Sequence, residues 1–190
     1  MGAAKALIEW CGLPLIAHQV TEFLATRADR VVVVLGARAD DIQSSLLHAL
    51  MARQELLREG RLEIVVNHLW ESGKCSSIRT GVGKLSPGVR HVVLHSVDQP
   101  TTAEVLEALF GFHLAAGRAL TLPIRGGRRG HPVCVKSTLR RHLTELREED
   151  LGLRGLIRSL EAQALVHEAP VAAPCVHWNI NRPEDLAGLK

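Results

Sequence analysis

Three stretches of this 190-residue chain carry residues whose types and spacing could do chemistry. In "HVVLHSVDQP" an apolar run from His91 delivers Asp98, and Pro100 turns the chain away at once. A carboxylate in that place suits a Mg²⁺ ion, which takes a few carboxylate and phosphate oxygens plus water. It could equally cap the helix that follows, although Thr101, spaced three from Glu104 in the manner of a capping box, already offers a cap. In "NHLWESGKCSSIRTG", Asn67 closes an apolar run, and Gly73, Ser76 and Ser77 open a helix with Lys74 and Arg79 close by. Free backbone N–H groups at a helix start favour an anion or a nucleotide edge, but an ordinary connection with solvated charges has the same pattern. In "RGGRRGHP", Arg125, Arg128 and Arg129 stand among three glycines. Arginine forks suit phosphate, and glycines let the backbone approach closely; an exposed basic loop is the plain reading. His131, followed by Pro132, is a base, a ligand or a structural residue at a strand start.

The elements that must position these residues alternate. "RVVVVLG" (residues 30–36), "LEIVVN" (62–67), "HVVLHSVDQP" (91–100) and "ALTLPI" (119–124) read as strands, several of them apolar on both faces as in the interior of a parallel sheet. Between them, "LPLIAHQVTEFLATRA" spaces Leu15, Ile16, Val20, Phe23 and Leu24 as a helix with Pro14 in its first turn. "ADDIQSSLLHALMARQELLREG" predicts a long amphipathic helix ending at Gly60, and another helix starts near Ser76. A helix follows Thr101; "STLRRHLTEL" and "LGLRGLIRSLEA" are helical; "ALVHEAP" and "PCVHWNI" read as strands; "RPEDLAGL" is a last short helix. This order predicts one domain over residues 1–190, a parallel or mixed sheet with helices on both faces. In open sheets of this kind ligands bind beyond the carboxyl ends of the strands, where Asp98 and Asn67 fall.

Composition narrows the classes. A hydrophobic fraction of 46% is that of a folded chain, and 3% aromatics argue against a stacking platform for single-stranded nucleic acid. Twenty-three basic and 20 acidic residues leave a net charge of +3, enough for an anionic small molecule without demanding nucleic acid. Cys11, Cys75, Cys134 and Cys175 lack metal-site spacing and read as reduced core or near-core residues. The apolar runs are too short to span a bilayer, and no signal peptide is evident, so a cytoplasmic protein is expected.

Taken in order, these pieces resemble the MobA-like nucleotidyltransferases, and within them the branch of molybdenum cofactor cytidylyltransferases. "MGAAKALIEWCGLPLI", "LWESGKCSSIRTG", "LHSVDQP", "RGHPV", "EEDLGLRGLI" and "NINRPEDL" are each similar to a motif of that family, in the family's order. The resemblance implies a Rossmann-like three-layer α/β/α fold of the nucleotide-diphospho-sugar transferase kind, with a mostly parallel, mixed sheet. It implies transfer of a nucleoside monophosphate from an NTP, CTP favoured and GTP as the other candidate, to a phosphorylated acceptor such as a molybdopterin-type cofactor, with release of pyrophosphate. Mg²⁺ is the implied cofactor, with Asp98, Asn179 and Asn181 as metal-side residues. Lys5 and Asp98 become the catalytic pair. Gly2, Lys5, Trp70, Gly73, Ser76, Ser77 and Arg79 fall on the nucleotide side, and Arg128, Arg129, Gly130 and His131 on the acceptor side. NTP and acceptor are the implied partners, with a cofactor-receiving protein beside them and neither nucleic acid nor membrane.

The chain departs from the family pattern in two places. The family's opening strand and glycine-rich loop, "L-A-A-G-x-S-x-R", has no counterpart before "MG", so the first strand of the sheet and much of the phosphate cradle are expected to be missing. Arg182 stands where the family has threonine, and asparagines replace an acidic pair. A non-catalytic nucleotide- or cofactor-binding module is therefore the competing expectation, and a structural or interaction domain with a decayed site the plainest one.

Overall fold

The computed structural model describes residues 4–53 and 60–188. Near its start β1 (Glu9–Trp10) and β2 (Leu13–Pro14) form a small antiparallel hairpin, Glu9 opposite Pro14. Its turn is made by Cys11 and Gly12, both at positive φ, so Cys11 is exposed rather than near the core as expected; the other three cysteines are buried. Pro14 sits just ahead of helix α1 (Leu15–Leu24) instead of in its first turn, and Leu15, Ile16, Ala17, Val20 and Leu24 form the buried stripe.

β3 (Val31–Leu35) runs parallel to β4 (Leu62–Val66), from Val31 opposite Leu62 to Leu35 opposite Val66. Between them α2 (Ala39–Met51) buries Ile42, Leu46 and Leu50, one face at a spacing of four, and sets Asp40 and Asp41 in its first turn, where the helix dipole favours them. The predicted continuation of this helix toward Gly60 runs into residues 54–59, outside those described. α1, α2, β3 and β4 share one apolar cluster.

The second sheet runs β5 (His91–Leu94), β8 (Val133–Lys136), β6 (Leu120–Arg125), β9 (Val166–Pro170), with β7 (Arg128–Arg129) hairpinned onto the end of β6. β8 is antiparallel to β5 and β6, and β9 is parallel to β6. On one face α3 (Lys74–Gly83), α5 (Arg140–Thr144) and α6 (Gly152–Ala162) pack with these strands around Leu120, Val133 and Val135. On the other, α4 (Ala103–Ala116) lies against β6, β8 and β9.

The two sheets belong to one layer. α3 packs on β3 as well as on the second sheet, and α1 packs on β3 and touches α4. Val97, just beyond β5, joins the β3 cluster, and the rings of Phe23 and His95 lie 5.4 Å apart. Yet β3 pairs only with β4, and β5 only with β8, among the described residues. The layer is divided between β3 and β5, with helices above and below the division.

Three local expectations are corrected. The strand read over 91–100 ends at Leu94, because residues 95–99 leave the sheet in a turn closed by Gln99 N–H on the Ser96 carbonyl. The cap of α4 is Thr102, whose hydroxyl accepts from the Val105 N–H; the Thr101 hydroxyl is buried and does not cap it. "PCVHWNI" is not a strand. Pro174 has no N–H for a ladder, and residues 174–177 wind into a 3₁₀ helix.

Candidate functional site

The strands that matter deliver their carboxyl ends to one rim. Beyond β5, the turn at residues 95–99 presents Asp98, whose side chain is 16% exposed. Two distant segments meet it. Residues 5–7 form a 3₁₀ turn that packs on α1 and α2, and the Lys5 ammonium donates to Asp98 Oδ2 at 3.2 Å. The segment after Trp178 runs past the same turn, its Ile180 N–H donating to the Asp98 carbonyl at 2.7 Å. Ile180 is fully buried against Ile8 and Leu15, which fixes Asn181 beside it. The Lys5 ammonium also donates to Asn181 Oδ1 at 2.7 Å. One cation thus sits between a carboxylate oxygen and an amide oxygen brought together from opposite ends of the chain. Asp98 caps no helix here.

Asp185, which sequence reasoning did not single out, holds this arrangement. Its Oδ2 accepts from the Asn181 and Arg182 N–H groups at 2.7 and 2.9 Å. Those backbone bonds hold its carboxyl below the ordinary carboxylate range, aided by the charges of Arg182 and Lys5. The signal available in sequence is the acid three residues after Arg182 at the start of a helical turn. Asn179 is exposed and makes no side-chain hydrogen bond among the described residues.

The second wall is the connection from β4 to α3. Asn67 extends the parallel pairing through its N–H on the Leu35 carbonyl. Its side chain is an internal brace: Nδ2 donates to Ser76 Oγ at 2.8 Å and Ser77 Oγ at 3.1 Å, and Oδ1 accepts from the Leu69 N–H. Ser76, 2% exposed, lies with its hydroxyl between the Leu69 and Gly73 carbonyls, so it braces the connection from within. Gly36, just after β3, has no room for a Cβ, which would lie 2.6 Å from that of Trp70. Trp70 and Leu69 therefore stand over the end of β3, 43% and 68% exposed, an apolar edge fit for a base.

The start of α3 is already engaged. Glu148, another residue missed in the sequence, accepts the Cys75 N–H at 2.6 Å and covers Gly73, which has φ +103°. Arg79 turns to the Leu146 carbonyl. The capping carboxylate comes from the loop before α6, and no local pattern around Gly73 announces it. Gly2 lies outside the described residues.

The arginine loop differs from expectation. Arg129 is held between Glu161 and Glu168, which raise its pKa, so its charge is matched within the protein. Arg128 is exposed on β7, and its carbonyl faces His177 Nε2 at 2.9 Å. Gly130 and His131 are clamped to the 3₁₀ helix at 174–177: a Cβ on Gly130 would lie 2.2 Å from the Val176 carbonyl oxygen, which accepts the His131 N–H. Burial first, then Lys74, holds the His131 imidazole below its usual value, with Asp98 opposing.

The profile of the MobA-like NTP transferase domain matches residues 1–165. This chain belongs to that family. The MobA-like domain is 32% identical over 161 residues to the nicotine blue oxidoreductase of Paenarthrobacter nicotinovorans, covering 81% of this chain and 72% of that protein. Two solved structures share its fold. A Mycobacterium tuberculosis protein solved with manganese superposes with a TM-score of 0.74 at 17% identity, over 99% of this chain and 91% of its own. A nucleotidyl transferase from Methanothermobacter gives 0.74 at 21%, over 98% and 83%. The nucleotide-diphospho-sugar transferase fold expected from the motifs is the fold of this MobA-like domain. Among its described residues no helix is long and apolar enough to cross a membrane.

Proposed function

We propose that this domain transfers a nucleoside monophosphate from an NTP to a phosphorylated acceptor at the rim where Asp98, Lys5 and Asn181 meet. The observation that carries this reading is the single ammonium lodged between Asp98 Oδ2 and Asn181 Oδ1. A carboxylate and an amide oxygen already sharing one cation are hard donors suited to a divalent ion that takes its other ligands from phosphates and water. No group of three His, Cys, Asp or Glu side chains forms a self-sufficient metal cage among the described residues, which fits an ion held in part by substrate. Asp98 and Asn181 would hold the ion, with Mg²⁺ as the physiological one, and when bound it neutralises charge on the triphosphate and the leaving pyrophosphate.

The chain's own residues do the rest. Lys5, displaced from Asp98, supplies its charge to the triphosphate. Asp185 keeps Asn181 in place through two backbone N–H groups. Trp70 offers its face to the base, and the Asn67–Ser76–Ser77 brace keeps the loop that carries it rigid. An acceptor phosphate oxygen attacks the α-phosphorus, the bond from that phosphorus to the bridging oxygen breaks, and pyrophosphate leaves. Such transfers depend on positioning and charge neutralisation rather than on a covalent protein group. CTP is the donor and a molybdopterin-type phosphate the acceptor that the motifs favour. A glycine-rich phosphate loop ahead of residue 1, with a strand between β3 and β5, would complete the cradle.

With asparagines rather than acids at Asn179 and Asn181, a second reading is a binding module that holds nucleotide without turning it over. One assay separates the readings: pyrophosphate release from CTP, GTP and ATP with Mg²⁺ or Mn²⁺ and candidate acceptors, for the chain alone and with a strand and glycine-rich loop added in front. The transferase reading expects release that Asp98→Ala abolishes. Binding without release supports the module, and no binding by either form overturns both. The name of the Paenarthrobacter relative adds a redox arm to the same assay.

A further inference from the structure

Helix α4 has two apolar faces, and the fold accounts for only one of them. Val105, Leu106, Leu109 and His113 are buried on the side that lies against β6, β8 and β9. The opposite side is exposed at Ala108, Gly111, Leu114 and Ala115, with Phe112 on its flank. From Ala108 to Gly117 there is no Asp, Glu, Lys or Arg. A helix apolar on both sides is ordinarily covered on both, and a contiguous apolar patch on a surface marks a contact. Gly111 lies in the middle of this exposed face. Glycine inside a helix is costly beside alanine. In α3 and α6 the fold requires it: a Cβ on Gly81 would press on Val34, and one on Gly155 on the Asp150 carbonyl. A Cβ on Gly111 would meet nothing within 4 Å. No neighbour among the described residues calls for glycine there, so its missing side chain makes room for something from outside.

We propose that this face of α4 pairs antiparallel with α4 of a second copy of the chain, on a twofold axis at Gly111. The charges at its two ends select that occupant. Glu104 is exposed in the first turn, and Arg118 is exposed just past the cap Gly117. The two stand equally far in sequence from Gly111, as do Ala108 and Leu114. Antiparallel pairing therefore sets Glu104 of each copy toward Arg118 of the other, and Ala108 beside Leu114, which is the self-complementarity a twofold interface requires. Arg118 gives one N–H to the Ala164 carbonyl and has the rest of its fork to offer. Glu107, the other acid on the helix, is already paired with Arg27. With glycine at the crossing the helix axes can come to about 8 Å, the close end of the packing range. The helix has 14 residues, so it is about 21 Å long and covers a small area. The pair is accordingly a weak, concentration-dependent one. α4 starts just after the Asp98 turn, so antiparallel copies carry their two rims at opposite ends of the pair, clear of the contact.

Sedimentation velocity of the full chain over a concentration series tests this. A monomer–dimer equilibrium is expected, with a dissociation constant on the order of micromolar. Gly111→Leu is expected to raise that constant about tenfold or more by holding the helices apart. Its urea midpoint, measured where the parent is monomeric, should stay level or rise, because leucine suits a helix better than glycine. Glu104→Arg and Arg118→Glu are each expected to weaken the dimer about threefold, the size of an exposed ion pair, and the two together to restore it. A chain that stays monomeric throughout overturns the proposal. A dimer that Gly111→Leu does not weaken has its interface elsewhere and overturns it too, as does a double reversal no tighter than the single ones. A lower urea midpoint for monomeric Gly111→Leu would show that the fold itself needs the glycine, which removes the ground for the pairing.

Discussion

Lys5 and Asp98, 93 residues apart in sequence, meet at 3.2 Å with side chains 41% and 16% exposed. A pair this open to solvent contributes little to stability, about 1 kcal/mol or less. Asp98→Asn is therefore expected to leave the urea midpoint nearly unchanged while lowering pyrophosphate release by about two orders of magnitude, the cost of losing an electrostatic contact made to the transition state. Lys5→Met separates the partners' roles. Removing the ammonium that competes for Asp98 leaves Mn²⁺ binding as tight or tighter, while NTP binding weakens. Electron paramagnetic resonance titration of Mn²⁺ checks the first, and nucleotide titration the second. A Lys5→Met protein that loses Mn²⁺ affinity would show that the ammonium does not stand where the ion goes.

Glu148 caps α3 from across the fold. Glu148→Ala leaves the Cys75 N–H without its acceptor, and the expected loss is about 1 kcal/mol, the usual cost of a helix N-cap. Equilibrium urea unfolding measures it. Glu148→Gln, which keeps an acceptor oxygen but loses the charge at the helix start, is expected to fall between the two.

What the sequence disclosed follows from how local each interaction is. β3 and β6 are apolar runs with clear stops, and the helix stripes of α1 and α2 repeat at three and four, so these elements could be read directly. Asp98 drew notice because an apolar run and a proline frame it. The cap of α4 lies one residue beyond the expected Thr101, because the two threonines are adjacent and only Thr102 has its hydroxyl on the Val105 N–H. The pairing of Arg129 is hidden from the sequence because Glu161 and Glu168 reach it from α6 and β9. Glu148 and Asp185 escaped notice for the same reason. Each carboxylate acts through backbone N–H groups, and every residue has one.

Acid should destabilise the fold through His113, which is fully buried, with Nδ1 2.9 Å from Thr121 Oγ1 and Nε2 3.1 Å from His91 Nδ1. Burial, with His91, Lys136 and His167 adding positive charge, pushes its pKa from 6.5 down to about 4. The unfolded chain therefore takes up a proton that the folded chain refuses. The stability His113 contributes is complete above pH 6.5 and is lost as the pH falls from 6.5 toward 4, by up to about 3 kcal/mol. Unfolding free energies across that window should decline steadily, and the His113 ring resonances should not titrate above pH 5. A His113 that titrates near 6.5 would remove this source of acid sensitivity.

The division between β3 and β5 sets the last prediction. Each strand has one edge without a strand partner among the described residues, and helices lie above and below. Val32 and Val34 of β3 and all four residues of β5 are only partly buried, unlike the interior strands of a closed sheet. Ala4, Ala6 and Leu7 pack in the β3 cluster while Lys5 reaches Asp98 beyond β5, so the chain enters at the carboxyl end of the gap. An apolar, β-branched strand and a glycine-rich loop added ahead of residue 1 are therefore expected to fill it, pairing with both edges and burying the exposed valines. Each fully buried side chain of that size is worth about 1.5–3 kcal/mol, so the extended protein should unfold at clearly higher urea. Its β3 and β5 amides should also exchange with solvent more slowly, because they gain partners they lack now. Equal midpoints and equal exchange rates in the two forms would mean that the gap does not accept a strand.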